Sequence, residues 1–182
     1  MKQYLFFIAF IFLVHSGFCQ DNGPREIKPQ DIQKIKADIA ALIPALKQSF
    51  VKSEMTADQI EFSIDTFRIE QMESRMMEID YSTAGMRNAV NEKTNAYDKL
   101  LNKYYNKLLK LMLPEDKKTL IAAQKAWIAY RDAESNLIGA MMKDVYSGGG
   151  TMQSLIATDS YSQMVIQRTI EIFNYYDGIV KN

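Results

Sequence analysis

Apolar residues recur at every third or fourth position along most of the chain, and that period permits few folds. Ile32, Ile35, Ile39, Leu42, Leu46 and Phe50 follow it, as do Ile60, Ile64, Phe67, Met72 and Met76. A third stripe is Val90, Tyr97, Leu101, Tyr104, Leu108 and Leu111; a fourth is Leu120, Ala123, Trp127, Tyr130, Leu137 and Met141. A fifth joins Tyr161, Val165, Ile172 and Tyr175, with Ile166, Ile170 and Phe173 on a second side. A period near 3.6 places such residues on one face of a helix. The expectation is an all-α helical bundle of about five helices, held without disulfides. The alternation Ile60-Glu61-Phe62-Ser63-Ile64 would also suit a short strand.

Local signals punctuate these stripes. Asp31 is placed to cap the first helix, and Pro44 to kink it. Thr56 with Gln59 has the form of a capping box. Ser82 or Thr83 opens the third helix after a turn at Asp80–Gly85. Pro114 with Glu115 and Asp116 opens the fourth, where a missing N–H costs nothing and acids favour the helix dipole. Ser147-Gly148-Gly149-Gly150 breaks it, and Thr151 can cap the last helix.

Composition narrows the chemistry. The single histidine, His15, and the single cysteine, Cys19, both lie in the first twenty residues. There Lys2 precedes eleven apolar residues, Tyr4–Val14, and a small-residue exit at Ser16 and Gly17, the pattern of a signal peptide over residues 1–19. Export to the periplasm or beyond follows. Lipidation of Cys19 fits less well, because Phe18 and Ser16 precede it. Residues 20–30 read as a linker, 31–80 as an N-terminal helical segment and 83–178 as the main helical domain, with no later transmembrane span. Once the leader is removed, neither thiol nor imidazole remains. Ser-His-Asp and Cys-His catalysis, haem ligation and Cys/His zinc sites are thereby excluded. The chain is expected to be no enzyme, with no catalytic residues, no cofactor and no metal.

Lys+Arg and Asp+Glu number 22 each, so charge gives no case for a nucleic-acid partner. The charge is nonetheless segregated. Residues 54–80 carry eight acids and two bases, and residues 93–131 carry nine bases and three acids. Lys99, Lys103, Lys107 and Lys110 follow one helix face. This polarity would suit contact with an anionic polymer or a cationic protein, or packing of the two segments on each other. Glu61 and Asp65 are spaced i, i+4, but no aromatic and polar cleft surrounds them to support glycosidase chemistry. The glycine run lacks the Lys-Ser/Thr of a phosphate-binding loop. As a permissive, closely approachable loop it is the better binding tip, with Tyr146, Ser147, Gly148, Gly149, Gly150 and Thr151 as its candidate residues. Arg131 and Arg168 lie beside or within apolar stripes, so each needs a partner, and Asp132, Asp98 and Glu134 are candidates for Arg168.

Asp98-x-x-Leu101-Asn102-x-x-Tyr105, then Ala123-Gln124-x-x-Trp127-x-x-Tyr130-Arg131-Asp132, then Gly149-Gly150-Thr151 and Arg168-Thr169 resemble the LprI-type lysozyme-inhibitor domain. The resemblance spans about residues 83–176. It departs from the family where cysteines are common, at Ala89, Ser135 and roughly Ser160. It implies an exported protein that inhibits a lysozyme-type glycoside hydrolase without covalent chemistry. Asp98, Leu101, Asn102, Tyr105, Gln124, Trp127, Tyr130, Arg131, Asp132 and Arg168 then serve mainly to build the domain. Binding would fall to the acidic segment with Glu61 and Asp65, to the Tyr146–Thr151 loop, or to both. The alternative is an envelope module whose basic face contacts peptidoglycan or another anionic polymer. Intact-mass measurement of protein from an exporting host should find an N-terminus near Gln20; retention of Lys2–Cys19, or a diacylglycerol on Cys19, would contradict the cleavage expected.

Overall fold

The computed structural model describes residues 23–180, so the leader, with His15 and Cys19, lies outside the described residues. Five long helices and one single turn follow in order: α1 (Pro29–Lys52), α2 (Ala57–Ile79), α3 (Thr83–Leu111), α4 (Pro114–Met141), α5 (Asp144–Ser147) and α6 (Met152–Val180). Among the described residues there is no strand. The Ile60–Ile64 alternation belongs to α2, where two isoleucines four apart share a face and both are buried.

Helix starts follow the capping chemistry with one correction. Thr56 and Gln59 form the reciprocal pair that begins α2. At α1 the cap residue is Lys28, because Pro29 starts the helix two positions ahead of Asp31. Asp31 instead accepts the Lys28 N–H at 2.8 Å and pairs with the Arg25 guanidinium at 2.7 Å. Those bonds hold its carboxyl far below the usual range. The helix runs on through Pro44. Ser82 caps α3: its Oγ accepts the Gly85 N–H at 3.0 Å and donates to Asp80 at 2.6 Å.

α1, α2 and α3 run up, down and up. Arg25 N–H donates to Ile79 O at 3.1 Å, tying the start of α1 to the end of α2. α6 lies parallel to α3. Thr83 meets Met152 where both helices begin, Thr169 Oγ lies 3.2 Å from Tyr97 O midway, and Tyr104 packs on Phe173 and Tyr176 further on. α4 is the return that makes this parallel pairing possible.

The main core fills the space between α2, α3 and α6. Tyr104 and Ile172 are fully enclosed, with Leu101 and Val165 nearly so. Phe62 of α2 stacks on Phe173 of α6 at 3.8 Å, and Tyr104 stands edge-on to both rings at 5.3 and 4.9 Å. Such pairs are worth roughly 1 kcal/mol each beyond the area they bury. A second cluster, Ile35, Ile39, Met76 and Ala89, joins α1 to α2 and the start of α3.

The fourth stripe is not buried as its period suggested. Leu120 is the buried position of α4, while Tyr130, Leu137 and Met141 are about half exposed. The edge that α4 turns inward is Leu120, Gln124, Trp127, Arg131, Glu134 and Ile138, rotated by about 50° from that stripe. The alanines cluster on the exposed side beside Tyr130 and Leu137, so the apolar spacing marked that side and not the one that faces in.

Gly85 sits in the first turn of α3, directly against the Asp80 side chain and carbonyl, and a Cβ there would overlap both. Gly139, within α4, faces open space. Gly85→Ala should therefore lower the melting temperature by roughly 3–10 °C through overpacking. Gly139→Ala should leave it unchanged or raise it, since alanine is the better helix former. Thermal unfolding followed by circular dichroism checks both.

Candidate functional site

The two charge-segregated stretches meet at the α2–α3 interface. Lys93 pairs with Glu70 at 2.9 Å and Glu73 at 2.8 Å. Lys103 reaches Asp65 at 2.6 Å and Glu61 at 3.1 Å, and Lys107 reaches Glu61 at 2.7 Å and Asp58 at 2.8 Å. Antiparallel helices bring acids on one into step with lysines on the other, so most of the segregation is spent inside the molecule. Lys103 and Lys107 also lie over the Tyr104 ring, and Lys107 over Tyr176. Hydrogen bonds from Lys107 and Lys103 pull the Glu61 carboxyl down against the upward pull of burial. Burial opposes the charge of Lys107, but Asp58 and Glu61 outweigh it and raise the ammonium. Glu61 and Asp65, the acids expected to face a cationic enzyme, thus have lysine partners already. Lys99 and Lys110 remain as the exposed members of the lysine face.

The motif residues converge where α3, α4 and α6 meet. The Arg131 guanidinium lies over Trp127 at 5.3 Å and Tyr161 at 5.7 Å, and the Arg168 guanidinium also lies over Trp127, at 5.9 Å. Arg131 pairs with its neighbour Asp132 at 2.7 Å. Its charge is opposed by burial and favoured by Asp132 and by the Asp98 carboxylate, with a net upward shift. Asn102 donates to the backbone and carboxylate of Asp98 at 2.8 and 3.1 Å. Leu101 is buried and Tyr105 packs beside the core. Tyr130 points away, more than half exposed. Arg168 is nearly buried, but its partners are Gln124 and Glu171, each at 3.1 Å, and not Asp132, Asp98 or Glu134. Gln124 is level with it across the α4–α6 contact, and Glu171 lies one turn along its own helix. Tyr161, a member of the fifth stripe, is the motif's unforeseen partner; its place on the α6 face turned toward Trp127 was the available signal.

The glycine run forms a built loop at one end of the bundle. Gly148, Gly149 and Gly150 have φ of 78°, 79° and 103°, a region that favours glycine. Ser147 Oγ donates to Met142 O at 3.0 Å and accepts the Gly149 N–H at 3.2 Å. The Gln153 amide donates to Ser147 O and Gly149 O at 3.4 and 3.3 Å, and Gly148 N–H donates to Asp144 O at 2.9 Å. Thr151 follows, exposed, directly before α6. Val145 and Tyr146 stand out from this frame at 79% and 64% exposure. Gln153, which locks the loop, was not foreseen.

Tip and acids lie far apart. The loop leads into Met152, which meets Thr83 at the start of α3, whereas Glu61 and Asp65 meet Lys103, twenty residues along the same helix. At 1.5 Å per residue that is roughly 30 Å. Among the described residues no helix is long and apolar enough to cross a membrane.

The sign of the Glu61 shift generates a prediction. A lowered carboxyl contributes stability above its unfolded value of about 4.3, lost as pH falls through the folded value. Glu61→Gln should cost roughly 0.5–1 kcal/mol at pH 7, as befits a half-exposed pair. The gap from wild type should close on acidification below pH 4; a constant gap in melting temperature would show that the carboxylate charge is not the source.

The family model described as lysozyme inhibitor LprI matches residues 75–172. That span holds the Trp127–Arg131–Tyr161–Arg168 cluster and the glycine loop, and it begins after Glu61 and Asp65. No curated protein and no solved structure matches the chain.

Proposed function

Because the chain belongs to the family of the lysozyme inhibitor LprI, we propose that it is an exported protein that binds and inhibits a lysozyme-type muramidase, with the Tyr146–Thr151 loop as the part that enters the enzyme. The observation that carries the assignment to this loop is its construction: an exposed aromatic on a glycine frame whose backbone is already hydrogen-bonded into one shape. A preformed loop avoids most of the ordering cost that a flexible one incurs on binding. Glycines let the main chain approach the walls of a narrow carbohydrate cleft, and Tyr146 offers a flat amphipathic face of the kind that dominates interface energetics. The cluster around Trp127 fixes α4 against α6 and thereby sets where the loop stands; its role is positional.

The acidic segment has a smaller part. Glu61 and Asp65 are held in internal ion pairs about 30 Å away. Beyond the screening length of about 8 Å at physiological salt, they add little to the attraction felt at the tip. The same pairs weaken the reading of an anionic-polymer module, since Lys93, Lys103 and Lys107 are turned to α2.

Inhibition of cell-wall lysis by a basic lysozyme tests the proposal. Tyr146→Ala should weaken inhibition by tenfold or more, about 1.4 kcal/mol or above, with an unchanged melting temperature. Gly149→Val should do the same through the loop backbone, while Glu61→Gln should leave inhibition unaltered. A wild-type protein without effect at micromolar concentration would overturn the reading.

A further inference from the structure

One long surface has no part in the core, the motif cluster or the loop. It is the side of α4 that carries Ala122, Ala126, Ala129, Tyr130, Ala133 and Leu137, all exposed, with Tyr130 at 57% and Leu137 at 54%. Between Lys118 and Met141 the charged residues of α4 are Lys125, Arg131, Asp132 and Glu134. Arg131 and Glu134 belong to the inward edge, and Lys125 and Asp132 flank Ala129 at the margin of the face, which leaves the stripe of Ala122, Ala126, Tyr130, Ala133 and Leu137 without charge. An exposed helix side without charge for six turns is the mark of a face that is covered.

We propose that this face is the contact between two copies of this chain, α4 against α4 and antiparallel. Ala123, Ala126, Tyr130, Ala133, Leu137 and Ala140 fall at alternating steps of three and four, the spacing of a helix–helix seam. The order of sizes along that seam selects a second copy as the occupant. With a two-fold axis between residues 131 and 132, Tyr130 of each copy stands opposite Ala133 of the other, Leu137 opposite Ala126, and Ala123 opposite Ala140. Each large side chain meets a small one, twice over, which is the self-complementarity that an isologous interface requires. An unrelated partner would not call for this mirrored order. A seam confined to one face of one helix is a small interface, so the pair is expected to be reversible.

Sedimentation of the full-length mature protein from about 1 to 200 micromolar tests this, a range that brackets a small interface. The expected result is a monomer–dimer equilibrium. Leu137→Lys should give monomer throughout, with the melting temperature of the wild type, since this side chain is outside the core. Ala126→Leu is the sharper variant. It makes the face more apolar but fills the space that Leu137 of the second copy occupies, so self-association should weaken tenfold or more. Wild type that stays monomeric across the range overturns the proposal. So does Ala126→Leu associating as strongly as wild type or more, which is the behaviour of a merely adhesive surface.

Discussion

The parallel seat of α6 against α3 is the constraint on which the rest depends. It places Tyr104 between Phe62, Phe173 and Tyr176, and it sets Thr169 beside the Tyr97 carbonyl. Two helices that run the same way cannot be joined by a short turn, so the chain must travel back along the bundle first. α4 is that return. Its inward edge is rich in polar groups, Gln124, Arg131 and Glu134, and it is held by stacking and hydrogen bonds more than by buried hydrocarbon. The motif around Trp127 is the device that fastens a connecting helix to the core pair.

Electrostatics in this molecule works mostly inward. α2 and α3 carry opposite charges in antiparallel step, and Lys93, Lys103 and Lys107 each bridge two acids. Pairs of this exposure add little stability singly, but they fix the register of one helix on the other. They also sit over aromatic rings that close the end of the core. The surface that remains is less polarised than the order of charges along the chain implies.

Much of this was legible before any coordinates. The five long helices follow from apolar spacing, and the caps at Thr56 and Ser82 follow from side-chain chemistry. The loop could be placed because three consecutive glycines interrupt a helical pattern. What the sequence left open were choices among faces. The alanines of α4 lie on the same side as Tyr130 and Leu137, so apolar spacing pointed to that side and could not show that Gln124 and Arg131 turn inward instead. Arg168 could be recognised as needing a partner, but Gln124 becomes one only through the lateral offset of α4 on α6. The fate of Glu61 and Asp65 likewise depended on which helix lies beside α2.

Parallel pairing of α3 with α6 also governs the order of events in folding. The groups that meet at Tyr97 and Thr169 are 72 residues apart in the chain. Closing so long a segment has an entropic cost that grows with its length and is recovered only once the last helix is in place. α1, α2 and α3 can fold back on one another early, yet the edge of α3 that packs on α6 stays uncovered until that helix is in place. In a chain of this topology the seating of α6 on α3 is a late, cooperative step that follows the pairing of the first three helices.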